Sequence, residues 1–180
     1  MMKAIKYLVL IIIGGVRVVH SQPGTVTDKS SVYSRVREQA NAMGQAFLRG
    51  DYDTFAGYLY PVIINSMGGK EQIAATLRKT VSNLKANGAS FSNITVDNPS
   101  KIIKAHSELQ CTLQQHTTIK TRDSKIVTTS TLIAMSENGG KDWFFIDTSN
   151  KAEKDIRKAL PNLNQAIVIP PQRKPVVYKL

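Results

Sequence analysis

The chain has 180 residues, 42% of them apolar, which suffices for one domain with a buried core and leaves little material for a second. Its 24 Lys and Arg outnumber 13 Asp and Glu, for a formal charge of +11, and a single cysteine, Cys111, excludes an internal disulfide. The basic side chains fall in scattered pairs such as Arg78-Lys79 and Arg173-Lys174, without interleaved aromatics. That pattern describes a solvated basic surface suited at most to peripheral contact with an anionic membrane or polysaccharide, and it argues against nucleic acid as a partner.

Lys3 and Lys6 precede the apolar run Tyr7 to Ile13, and small or polar residues continue to Val19-His20-Ser21. This pattern predicts an export signal cleaved after Ser21, which would place the mature chain in the periplasm or outside the cell. The apolar run falls short of the roughly 20 residues a membrane span requires. Loss of Lys3, Lys6 and Arg17 with the signal leaves 21 basic against 13 acidic side chains. Four regions follow: the signal over 1–21, a linker over 22–30 containing Pro23 and Gly24, an α+β domain over 31–160, and an extended, proline-containing tail over 161–180.

Within the domain, Val32, Val36, Ala40, Met43, Phe47 and Leu48 recur at helical spacing, and Gly50 closes that helix. Asp51 or Asp53 caps a short second helix from Thr54 to Tyr60, which Pro61 stops. Val62 to Met67 reads as an apolar connection. Gly68-Gly69 opens a third helix with the stripe Ile73, Leu77, Val81 and Leu84, closed at Asn87-Gly88. Strands begin at Ser90, with a bulge or kink expected at Asp97 to Ser100 before Lys101 to Lys104. Ala105 to Glu108 is a hairpin. Gln110 to Lys120 and Lys125 to Ser136 form a long antiparallel ribbon around Arg122-Asp123-Ser124, with Leu109, Cys111 and Leu113 on one face and Gln110, Thr112, Gln114 and His116 on the other. After Asn138-Gly139-Gly140 the final strand carries Trp143 to Asp147. Lys151 to Leu160 suits a last short helix, and the tail beyond it is extended. Helices followed by strands define an α+β class, with three helices packed on a curved four-stranded antiparallel sheet.

Several stretches resemble the nuclear-transport-factor-2-like superfamily, especially its SnoaL-like and bacterial members. Phe47 to Asp53 is similar to that family's opening of helix, Gly-Asp and next helix. Tyr60-Pro61, Gly68-Gly69-Lys70-Glu71 and the closing run Gly139 to Asp147 also match its order, so the resemblance covers about residues 32 to 150. It implies a cone in which the curved sheet wraps the long helix around a cavity. In such a cone the lining would come from Phe47, Tyr58, Tyr60, Cys111, Trp143 and Phe145. The family holds isomerases, cyclases and dehydratases as well as non-catalytic domains, so the fold does not choose among them.

General acid-base work needs a titratable group facing the reacting atom, and the candidates are Asp147, His116, Tyr58 and Tyr60. Asp147 follows the aromatic strand, where a carboxylate more often closes a strand end. His116 sits among Gln114, Gln115, Thr117 and Thr118, which suits a polar face. No histidine pair has ligand spacing, and no phosphate loop is present, so neither a metal nor a cofactor is expected. The expected function is a non-catalytic exported module that binds a small apolar or mixed ligand, or a protein partner, in or near its cavity. A small-pocket lyase or isomerase is the alternative, and a structural homo-oligomer, as small as a homodimer, is the third.

Overall fold

The computed structural model describes residues 29–180, so the expected export signal and nearly all of the linker lie outside the described residues. Val36, Ala40 and Met43 form the buried stripe of α1 (Lys29–Arg49), which ends at Gly50 with φ at +78°. The Asp51 carboxylate accepts from Thr54 N at 3.2 Å and so caps α2 (Tyr52–Gly57). The apolar connection expected after Pro61 is instead a helix, α3 (Pro61–Ser66). Proline lacks only an N–H that the first helical turn leaves unused, so the residue that stops one helix starts the next. Gly68 and Gly69 then take φ of +83° and +97° and lead into α4 (Lys70–Ala86), which buries Ile73, Ala74 and Val81. Among the described residues four helices, rather than three, precede the strands.

The strands are β1 (Ser90–Val96), β2 (Ile103–Ala105), β3 (Glu108–Lys120), β4 (Ser124–Ser136) and β5 (Phe144–Asp147), followed by α5 (Glu153–Ala159) and β6 (Val176–Lys179). The main path β1-β3-β4-β5 is the expected four-stranded antiparallel sheet, and it is strongly curled. β2 adds to β3 and β6 adds to β4. The ribbon of β3 and β4 runs unbroken from Leu109↔Ser136 to Lys120↔Lys125. β1 and β2 lie along the same edge of β3. The register shift falls between Phe91 and Asn93, and Asp97 to Ser100 ends the strand instead of bulging within it. Asp97 N donates to Gln114 O at 2.9 Å and Ser100 N to Thr112 O at 2.8 Å, so even this break stays on β3.

Both faces of the sheet are covered near β5. On the inner face Cys111, Leu113, Leu132, Ala134, Trp143 and Phe145 pack against the α1 stripe. The outer face has Ile133 and Met135 at 0% and 1% exposure, under Ile156 of α5 and Leu160, Leu163 and Ile167 beyond it. The outer face of the ribbon is therefore covered at this end. Gln110 clamps the cover: its Nε2 donates to Asn162 O at 3.0 Å, and its Oε1 accepts from Asn164 N at 2.9 Å. Arg157 adds a bond from Nη2 to Ile167 O at 2.8 Å. Among the described residues no helix is long and apolar enough to cross a membrane.

Candidate functional site

Curling of the sheet around α1 leaves a cavity of about 170 Å³ on the inner face. Met43 and Phe47 of α1, Phe55 and Leu59 from α2 and its end, and Phe91 and Ile94 of β1 form its apolar walls. Leu132 and Phe145 make up the sheet side, with Gln115, Thr117 and Asp147 as polar contributors. Gly44 sets how closely α1 approaches: a Cβ there would stand 2.7 Å from Ile94 Cγ2. Phe47 anchors one wall, with ring centroids of Phe91 and Phe55 at 4.9 and 5.4 Å, both edge-on. Phe55, Leu59, Phe145 and Asp147 also line a neighbouring groove of about 210 Å³, closed on its far side by Ile63, Met67, Ile73 and Leu77. The two spaces thus share a partition made of side chains.

Of the residues expected to line the cavity, Phe47 and Phe145 do so. Cys111 and Trp143 are 0% and 1% exposed and belong to the packed core. Burial pushes the Cys111 thiol up to about 12, which removes the thiolate a nucleophile would need at neutral pH. Trp143 spends its indole N–H on Gly140 O at 3.2 Å. Tyr58 is half-buried with its ring centroid 6.5 Å from that of Phe145, and its carbonyl accepts from Phe145 N at 2.8 Å.

Tyr60 is a correction. It packs in the outer layer with Ile133 and Met135, where its hydroxyl donates to Glu108 Oε1 at 3.3 Å. Desolvation, helped by the Glu108 carboxylate, pushes the Tyr60 hydroxyl up to about 12. Glu108 itself is 6% exposed, and Gln110 Nε2 donates to its Oε2 at 2.9 Å. A glutamate at a hairpin reads as solvent-facing, so sequence reasoning passed over this buried carboxylate. The only local sign is that Gln110, two positions on, shares its face.

The remaining acid-base candidates stand apart. His116 lies on the outer face, its ring nitrogens 3.1 Å from Asp97 Oδ2 and 3.1 Å from Thr129 Oγ1. Asp147 is exposed at the cavity rim and closes its strand, accepting from Ser149 N at 2.8 Å and Ser149 Oγ at 2.6 Å. Phe47, Phe55, Phe91, Ile94 and Phe145 were each visible as apolar residues, but their convergence depends on the curl of the sheet. A second, hydroxyl-lined groove of about 300 Å³ lies on the outer face, between Thr129, Thr131 and Thr148 and the segment Ile169 to Gln172. Among the described residues no cluster of His, Cys, Asp and Glu has the geometry to hold a metal.

The inner cavity is suited to an apolar body with one polar end. Its walls are mostly apolar, while Gln115, Thr117 and Asp147 supply hydrogen-bonding groups. No family model matches this chain, and no curated protein does. Among solved structures it is similar to an NTF2-like protein with a cystatin-like fold from Novosphingobium aromaticivorans, at 13% identity and a TM-score of 0.38, covering 73% of this chain and 90% of that one. The architecture described above rests on this chain's own strand pairings.

Proposed function

We propose that the protein is an exported, non-catalytic module that holds a small ligand in its inner cavity. The observation that carries this reading is a cavity of about 170 Å³ walled by aromatic and aliphatic side chains and edged by Gln115, Thr117 and Asp147. An apolar cavity of about 150 Å³ accommodates a single benzene-sized molecule. The ligand class is therefore one aromatic ring or a short branched chain with a hydroxyl, amide or amine at its end. The acid-base candidates His116 and Asp147 face opposite sides of the sheet, which supports binding over proton transfer. Export is supported by the pattern of Lys3, Lys6, the apolar run and Ser21.

Titration with a panel of monocyclic phenols and anilines, read by calorimetry, tests the pocket. Thr117→Trp fills the cavity from a half-buried position, so it is expected to abolish binding while the protein stays folded. Failure of the whole panel to bind, or undiminished binding by the filled variant, rules the pocket out. For export, N-terminal sequencing of the secreted chain is expected to begin at Gln22, and a chain that retains Met1 in the cell contradicts it.

A further inference from the structure

The corner where β6 meets the β3–β4 turn differs from the rest of the surface. β6 pairs with Ser124 to Val127, and Leu180 N donates to Asp123 O at 3.1 Å, so the strand is fixed beside the turn. Its side chains alternate across the sheet yet stand in solvent on both sides, with Val176, Val177 and Tyr178 at 50%, 60% and 52% exposure. The register continues the patch inward, because Val177 pairs with Ile126, and Ile126 with Ile119. Those two isoleucines are half-buried. Contiguous apolar surface of this kind marks a contact site more often than isolated exposed residues do. Within residues 119–127 and 172–180 the charged side chains are Lys120, Arg122, Lys125, Arg173, Lys174 and Lys179 against Asp123.

We propose that this corner docks the protein on an anionic lipid bilayer. Lys179 lies on β6 and Lys174 just before it, and lysines on an edge strand oppose its pairing with a second copy along the free edge. A soluble polyanion would satisfy the charges and leave Val176 and Val177 in water. A bilayer interface satisfies both, with apolar side chains at the acyl boundary and basic ones at the phosphates. The Lys125 ammonium, 5.8 Å from the Tyr178 ring centroid, holds charge and aromatic ring together at one level. The outer edge of β6 exposes backbone groups that hydrocarbon cannot satisfy, so the corner rests at headgroup depth.

Sedimentation of the protein with vesicles of phosphatidylcholine alone, and of phosphatidylcholine mixed with phosphatidylglycerol, tests this directly. Binding is expected with the mixed vesicles only, weakening as salt rises, with Lys179→Gln lowering affinity about fivefold. The double change Val177→Ser, Tyr178→Ser is expected to lower it further while the thermal midpoint stays unchanged. Equal binding to both vesicles, or no binding to the mixed ones, overturns the proposal. Full competition by dextran sulfate, with the double change inert, overturns it in favour of a soluble polyanion. A dimer by light scattering that Val177→Lys dissolves assigns the corner to a second copy instead.

Discussion

Glu108 and its neighbour Gln110 show how two side chains tie distant parts of the chain together. Its carboxylate is 6% exposed, and it accepts from the Tyr60 hydroxyl at 3.3 Å and from Gln110 Nε2 at 2.9 Å. Gln110 passes the link to Asn162 and Asn164. Tyr60→Phe removes one donor from a buried carboxylate oxygen and is expected to cost about 1–3 kcal/mol in urea unfolding. It also acts on the alkaline side. Tyr60 and Cys111 both titrate at about 12 in the folded protein, above the ordinary values of 10.0 and 9.0 that they regain on unfolding. Between those limits the unfolded chain binds fewer protons than the folded one, so stability is complete below about pH 9 and falls as the pH rises towards 12. The Tyr60→Phe protein is expected to show a shallower alkaline loss, and identical slopes would exclude Tyr60 from it. Native Cys111 is expected to resist a thiol reagent that labels it at once in denaturant, a difference absorbance at neutral pH reads.

Elements show where periodicity is a sufficient guide and where it stops. The stripes of α1 and α4 were legible because a helix repeats its own face, and Gly50 and Gly88 marked their ends with φ of +78° and +75°. α3 was not, because a proline after an aromatic reads as a stop signal and the same proline is favourable at a first helical position. The two faces of β3 were legible, but the burial of its polar face was not. Gln110 and Thr112 are covered by a segment some fifty residues later, and no local pattern reports a partner that far away. That cover is tight at Ile167, which is 2% exposed in the outer core. Ile167→Ala is expected to cost about 2–5 kcal/mol by denaturant midpoint. Its neighbour Val168 is 72% exposed, and Val168→Ala is expected to stay within about 0.5 kcal/mol. Equal effects at the two positions would mean that the segment does not pack as described.

At the scale of the molecule, the long ribbon is two structures in one. Thr131 to Ser136 of β4 are buried between two layers, whereas Ser124 to Ser130 are only half-covered. Amide hydrogens of Leu132 to Ala134 are expected to exchange only through global unfolding, and those of Ser124 to Thr128 through local opening. Uniform exchange along β4 would contradict this division. The candidate site was legible in part for a related reason. Phe47 and Phe145 stood out as aromatics in strongly patterned segments, while Gly44 and Ile94 matter only because α1 crosses β1 at that point.

The two-layered core also imposes an order on synthesis. The inner cover, α1, is made before any strand, so Cys111, Leu113 and Leu132 meet their partner as soon as they emerge. Apart from Tyr60 and Ile63, the outer cover follows the sheet: Ile133, Met135 and Ile146 stay partly open until residues up to Ile167 have been added. At about 5–20 residues per second, the twenty residues after Asp147 take roughly one to four seconds to appear. During that interval the nascent sheet presents a greasy flank to its surroundings.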